Sequence, residues 1–152
     1  MGKIHIIGMG NPIRGDDGFG VHLIDELARS PLPPSVNLIN SVNADCLFIP
    51  GIEPDDVIIV LDTLSSGKPP GSIVKFNYSD IACNDFSPIS LGQVNILNTI
   101  TPLTSKIDPS RITIIGVEPK NLSFAIGLSP EIQEKIPSIL RLINDEINKY
   151  IL

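Results

Sequence analysis

The 152-residue sequence contains no tryptophan and only two cysteines, two histidines and two methionines. Cys46 and Cys83 form neither a CxxC motif nor a ligand pair. That excludes a disulfide framework and reads as two buried, reduced thiols of a cytosolic protein. Two histidines, His5 inside an apolar run and His22 beside Asp25 and Glu26, supply no Ser-His-Asp or Cys-His arrangement. Charge is sparse too: 18% of residues are charged, the formal net charge is −6, and lysines and arginines are scattered singly. The absence of a basic patch argues against a nucleic-acid or anionic-membrane partner. No apolar stretch approaches the roughly 20 residues that span a bilayer. The short run Ile4–Ile7 stops at Gly8 with neither the length nor the cleavage site of a signal peptide. The expectation is a soluble, cytoplasmic protein.

What is present is a core. Hydrophobic residues make up 42% of the chain, which rules out intrinsic disorder. The length suits one domain over residues 1–152, able to bury about 68–70% of its unfolded surface without disulfide or metal staples. Strands are expected at Ile4–Ile7, Val36–Val42, Asp56–Asp62, Ser72–Asn77 and Arg111–Val117. The run Val57-Ile58-Ile59-Val60-Leu61 is apolar throughout, as in a parallel strand covered on both faces. Val21, Ile24, Leu27 and Ala28 share a face at helical spacing, and Leu91–Leu103 has helical spacing as well. Leu47–Ile52 reads as a short helix or turn, and Ser79–Ser90 as an irregular loop. Ser129-Pro130-Glu131 carries a helix-start signal, and the stretch to Tyr150 places Ile132, Ile136, Ile139, Leu140, Ile143 and Ile147 together. Pro137 interrupts it, so a kink or two abutting helices is expected. The pattern predicts an α/β three-layer domain with a mostly parallel, twisted five-stranded sheet and helices on both faces. Ser72–Asn77 follows its predecessor too closely for a long crossover and is expected antiparallel at an edge.

Ligands of such sheets bind beyond the carboxyl ends of the strands. There, Gly8-x-Gly10 invites a dinucleotide reading, but Ile13 stands where the third glycine belongs, and Asn40 and Ser41 replace the acid ending the second strand. For Gly8 a tight turn is the simpler reading. Asp17, before the first helix, and Asp62, ending the most apolar strand, form the second candidate. If their strands are neighbours, the two carboxylates face one crevice, where they could hold a divalent cation or activate water. The plainer alternatives are helix capping for Asp16 and Asp17 and backbone satisfaction for Asp62. Glu118 is a possible third acid or a simple strand-end residue. His5 reads as a satisfied sheet histidine and His22 as a solvated one.

The segment Gly8-Met9-Gly10-Asn11-Pro12-Ile13-Arg14-Gly15-Asp16-Asp17-Gly18-Phe19-Gly20-Val21 resembles the signature of the hydrogenase maturation endopeptidases. Three further segments agree in order: Val57–Asp62, Ile115–Pro119 and Gly127–Glu131. The resemblance implies an endopeptidase, aspartic-type or metal-dependent. It would remove the C-terminal peptide of a nickel-iron hydrogenase large-subunit precursor after nickel insertion, with the nickel supplied by the substrate. By motif, Asp17 and Asp62 match the family's two acidic metal ligands and catalytic groups, and Gly10 and Asn11 its substrate-binding turn. The family's histidine is expected within Ser87–Leu97, where Ile89 stands, and Ser41–Asp45 replaces the usual Gly-Thr turn. Without the imidazole, the acids offer only oxygen donors, which suit harder ions than nickel. The alternative reading is therefore a non-catalytic docking or maturation factor of the same fold.

Overall fold

The computed structural model describes residues 2–41, 49–83 and 100–151, the side chains of 81–83 excepted. Five strands form one sheet: β1 (Ile4–Met9), β2 (Val36–Ser41), β3 (Val57–Thr63), β4 (Ile73–Asn77) and β5 (Ile112–Val117), in the order β2-β1-β3-β5-β4. The β2–β1, β1–β3 and β3–β5 pairs are parallel, and β4 runs antiparallel to β5 at the edge. The short β3–β4 connection leaves no room for a crossover, which fixes that reversal.

Central strands buried on both faces need cover on both. On one face Ile4, Ile6, Ile59, Leu61, Ile115 and Val117 pack beneath helix α1 (Phe19–Ala28) and the C-terminal helix. On the other, Ile7, Ile58, Val60 and Ile114 meet Ile52, Ile100, Leu103 and Ile107. Among the described residues this cover comes from the 3-10 turn at Thr101–Ser105 and its neighbours Ile100 and Ile107, with Tyr78 of helix α2 (Tyr78–Cys83) packed against it.

Two local expectations change, and the expected break at Pro137 takes the form of two helices. The buried stripe of α1 is Phe19, Leu23, Ile24 and Leu27, rotated from the one expected, so that Ala28 faces solvent. Residues 79–83, expected as loop, lie in the helix Tyr78–Cys83, whose first turn Asn77 and Asp80 cap together. Asn77 Oδ1 accepts from Ser79 N–H at 2.9 Å while Asp80 Oδ2 accepts from Asn77 N–H at 3.2 Å, a capping box. At the C-terminus two helices abut, α3 (Pro130–Gln133) and α4 (Ile136–Ile151). Pro137 sits in the first turn of α4, where its missing N–H costs nothing. The expectations for Cys46, the Cys83 side chain, Leu47, the 41–45 turn beyond Ser41, Ile89 and the helix over 91–99 lie outside the described residues.

Candidate functional site

The site grows from the end of β1. Gly8 lies within the strand rather than in a turn; a side chain there would strike the Gly20 carbonyl and Ile24 of α1, so glycine lets the helix approach. Gly10 has φ +113°, and a side chain at that position would meet the Asp17 carbonyl. Asn11 then closes a tight turn, its Oδ1 accepting from Ile13 N–H at 3.1 Å. Its amide nitrogen has no partner among the described residues. The chain passes through a 3-10 turn at Gly15–Gly18 into α1. Asp17 lies in that turn and faces back to the β1 end, with Oδ2 accepting from Asn11 N–H at 2.9 Å.

Strand β3, the neighbour of β1, delivers Asp62 and Thr63 to the same carboxyl edge. Thr63 touches both acids. Its N–H donates to Asp62 Oδ1 at 2.8 Å, and its hydroxyl donates to Asp17 Oδ1 at 3.5 Å, the long end of hydrogen-bond range. Burial pushes the Asp62 carboxyl up to about 7; the Thr63 N–H opposes this and the charge of Asp17 adds to it. A carboxyl that titrates near neutrality beside a charged one can both take and return a proton.

Asp16, expected to cap the helix, does something else. It is fully buried, with no capping bond to α1. Its Oδ2 accepts from Lys120 N–H at 2.8 Å and Asn121 N–H at 2.9 Å, and its Oδ1 from Ser129 N–H at 2.7 Å. The Ser129 hydroxyl, expected to cap α3, also turns to Asp16, at 2.7 Å. Burial alone would raise the pKa of Asp16, but the bonds from Ser129, Asn121 and Lys120 outweigh it and hold the carboxyl below its ordinary value. Glu118 is likewise consumed: its carboxylate accepts from Ser66 N–H and Lys68 N–H, both at 2.8 Å, and from the Ser66 hydroxyl at 3.0 Å. It therefore organises the loop after β3 instead of offering a third free acid. The loops also carry Ile13, Phe124 and Ile126, the large hydrophobic side chains left exposed among the described residues. Ala125 ties them together, donating to Ile13 O at 3.0 Å and accepting from Gly15 N–H at 2.8 Å.

The histidines stand apart from both acids. His5 is buried, with Nε2 at 2.9 Å from Asp56, the residue that precedes β3 at the opposite end of the sheet. Asn37 lies 3.2 Å from its other ring nitrogen. His22 is exposed on α1 and lies 3.8 Å from Glu26. Among the described residues no three His, Cys, Asp or Glu side chains converge as a metal-holding group. Two carboxylates without imidazole or thiolate are a poor donor set for a resident nickel ion. No motif or spacing marks Thr63 or the inward turn of Asp16. Only the adjacency of Thr63 to Asp62, and of Asp16 to Asp17, hinted at either.

A five-stranded α/β sheet with its polar groups gathered at the carboxyl edge is the class of domain that places ligands and chemistry there. The chain belongs to the hydrogenase maturation protease family, whose model matches residues 21–146, and it is thereby a peptidase. Asp62 and Glu118 fall inside that span, while the Gly10–Asp17 turn precedes it. The hydrogenase expression/formation protein HupD of Rhodobacter capsulatus is 29% identical over 138 residues, which cover 88% of this chain and 66% of that protein. The hydrogenase 2 maturation protease of Escherichia coli is 27% identical over 146 residues, 93% of this chain and 88% of its own. In fold, the chain resembles the hydrogenase maturating endopeptidase HybD from E. coli, with a TM-score of 0.79 at 23% identity over 97% of this chain and 93% of that one. Family membership favours the peptidase over the docking factor.

Proposed function

We propose that this peptidase removes the C-terminal peptide of the large-subunit precursor of a nickel-iron hydrogenase after nickel insertion, as a cytoplasmic reaction. The observation that carries the reading is the meeting of Asp17 and Asp62 at one sheet edge, both touched by Thr63. Asp62 acts as the general base: it takes a proton from water as the water oxygen bonds to the scissile carbonyl carbon. It then returns that proton to the leaving nitrogen as the carbon–nitrogen bond breaks. Burial keeps Asp62 basic, and the neighbouring charge of Asp17 adds to it. The amide nitrogen of Asn11, on the Gly10 turn and without a partner among the described residues, is available to orient the peptide. Nickel enters as part of the substrate, and Asp17 and Asp62 are the groups of this chain that could meet it. The exposed Ile13, Phe124 and Ile126 beside the site suit a polypeptide partner.

The test is the mobility shift of a nickel-loaded precursor. Asp17→Asn and Asp62→Asn each keep size and much of the hydrogen bonding while removing the charge, and each is expected to abolish shortening. Asp25→Glu on the exposed face of α1 is expected to process normally. Wild type that binds the precursor and never shortens it, or Asn variants that process at full rate, would overturn the assignment.

A further inference from the structure

We infer that the loop 118–129 is a brace that fixes the spacing of Asp17 and Asp62, with Asp16 and Glu118 as its positioning residues. The inference rests on those two acids being the reacting pair. The brace grips the first acid's turn at several points. The Asp16 carboxylate takes N–H groups from Lys120, Asn121 and Ser129, and Asp16 N–H donates to Asn121 O at 2.8 Å. At its other end the loop grips the segment leaving β3. The Glu118 carboxylate takes the N–H groups of Ser66 and Lys68, and Leu64 N–H donates to Val117 O at 2.9 Å. The Asp17–Thr63 contact closes the ring from the opposite side.

Asp16 and Glu118 are 0% and 5% exposed. Each is satisfied by N–H and O–H donors from loops rather than by a cation. A carboxylate is an acceptor only, so it can meet several donors at once. An amide at either position must turn an NH₂ group toward a donor, which opens the loop without removing apolar surface from the core. Asp16 is bonded to Asp17 through the chain and touches nothing that reacts. Its action on the site is through position.

The experiment uses the full chain and a nickel-loaded precursor, with Asp16→Asn, Glu118→Gln, Ser129→Ala and Ser129→Thr. Steady-state processing gives kcat and KM, and amide hydrogen exchange is followed at Asn11 and Thr63, whose N–H groups report on the two acids. Asp16→Asn and Glu118→Gln are each expected to lower kcat by roughly tenfold or more at little-changed KM, the penalty of a misplaced reacting group. Exchange is expected to rise at Asn11 in Asp16→Asn and at Thr63 in Glu118→Gln, with Ile59 and Ile114 still protected. Ser129→Ala should show a smaller loss that Ser129→Thr restores. Folded variants with wild-type kcat and unchanged exchange overturn the brace. If Asp16→Asn does not fold, Ser129→Ala decides, and unchanged kcat and exchange there overturn it equally. An Asp17→Asn arm separates the two claims: normal processing in it sinks the site, while the exchange data, which need no activity, still judge the brace.

Discussion

A carboxyl held near pH 7 in the folded chain and near 3.8 in the unfolded one weakens the fold whenever it is ionised. For Asp62 the folded state binds the proton more tightly. Its effect is therefore negligible near pH 4, grows as pH rises toward 7 and is fully present above that. Partial exposure lets water screen some of it. Asp62→Asn is thus expected to raise the melting temperature at pH 8 by several degrees, with the gain vanishing toward pH 4. Thermal unfolding of the free protein in a chelator, across that range, measures it. Equal melting curves at pH 8 would mean that Asp62 is solvated and not poised. A gain at pH 8 paired with lost processing is the trade expected where a site stores strain.

Among the elements, α4 is fastened to the sheet by a buried charge that its hydrophobic stripe does not announce. Glu146 accepts from Thr113 at 3.0 Å and pairs with Lys75 at 2.7 Å and Lys149 at 2.9 Å. Burial would raise its pKa, but the bonds from Lys75, Lys149 and Thr113 outweigh that and lower it below 4.5. Its stabilisation is present above pH 4.5 and is lost as pH falls through the lowered folded value, as with Asp16 and Asp56 below 3.8. Glu146→Ala leaves the buried Thr113 hydroxyl without its acceptor, while the exposed Lys75 and Lys149 can turn to water, and is expected to cost about 1–3 kcal/mol, or roughly 2–12 °C in Tm. Calorimetry at pH 7 checks it, and a loss under 1 °C would count against the network. This element also shows where sequence reading stops. Ile136, Ile139, Ile143 and Ile147 declare a buried face by their spacing, and the unbroken apolar run in β3 declares a covered parallel strand. Nothing in the spacing marks Glu146 as buried, because burial of that charge depends on Lys75 and Thr113, partners brought by strands β4 and β5. The helix does begin after Ser129, but the side-chain caps expected of Asp16 and Ser129 do not form for the same reason: each satisfies the other across 113 positions, where local capping rules have no view. The meeting of Asp17 and Asp62 at one sheet edge is legible because strand ends and a glycine turn mark the carboxyl edge of a parallel sheet by short-range signals.

At the scale of the whole molecule, the proposed function asks different surfaces to meet a substrate-borne cation and a polypeptide. With both histidines engaged elsewhere and no three-ligand group among the described residues, the isolated protein is expected to bind nickel weakly. Isothermal titration showing tight, stoichiometric nickel uptake, abolished by His5→Ala or His22→Ala, would contradict that. In the proposed function, polypeptide recognition falls to the exposed apolar side chains of the rim. Phe124 and Ile126 are 83% and 93% exposed, on a loop bonded to the turn that leads to Asp17. Exposed side chains that lose no packing should change stability by less than about 0.5 kcal/mol when replaced. Covering one such side chain with a partner is worth about 1.5–3 kcal/mol. Phe124→Ser and Ile126→Ser are therefore expected to leave Tm and kcat near wild type while raising KM for the precursor roughly tenfold or more each. Steady-state processing read beside thermal melts separates the outcomes. An unchanged KM would mean that the precursor docks elsewhere, and a fallen kcat at constant KM would make these residues part of the loop's bracing instead of its contact surface.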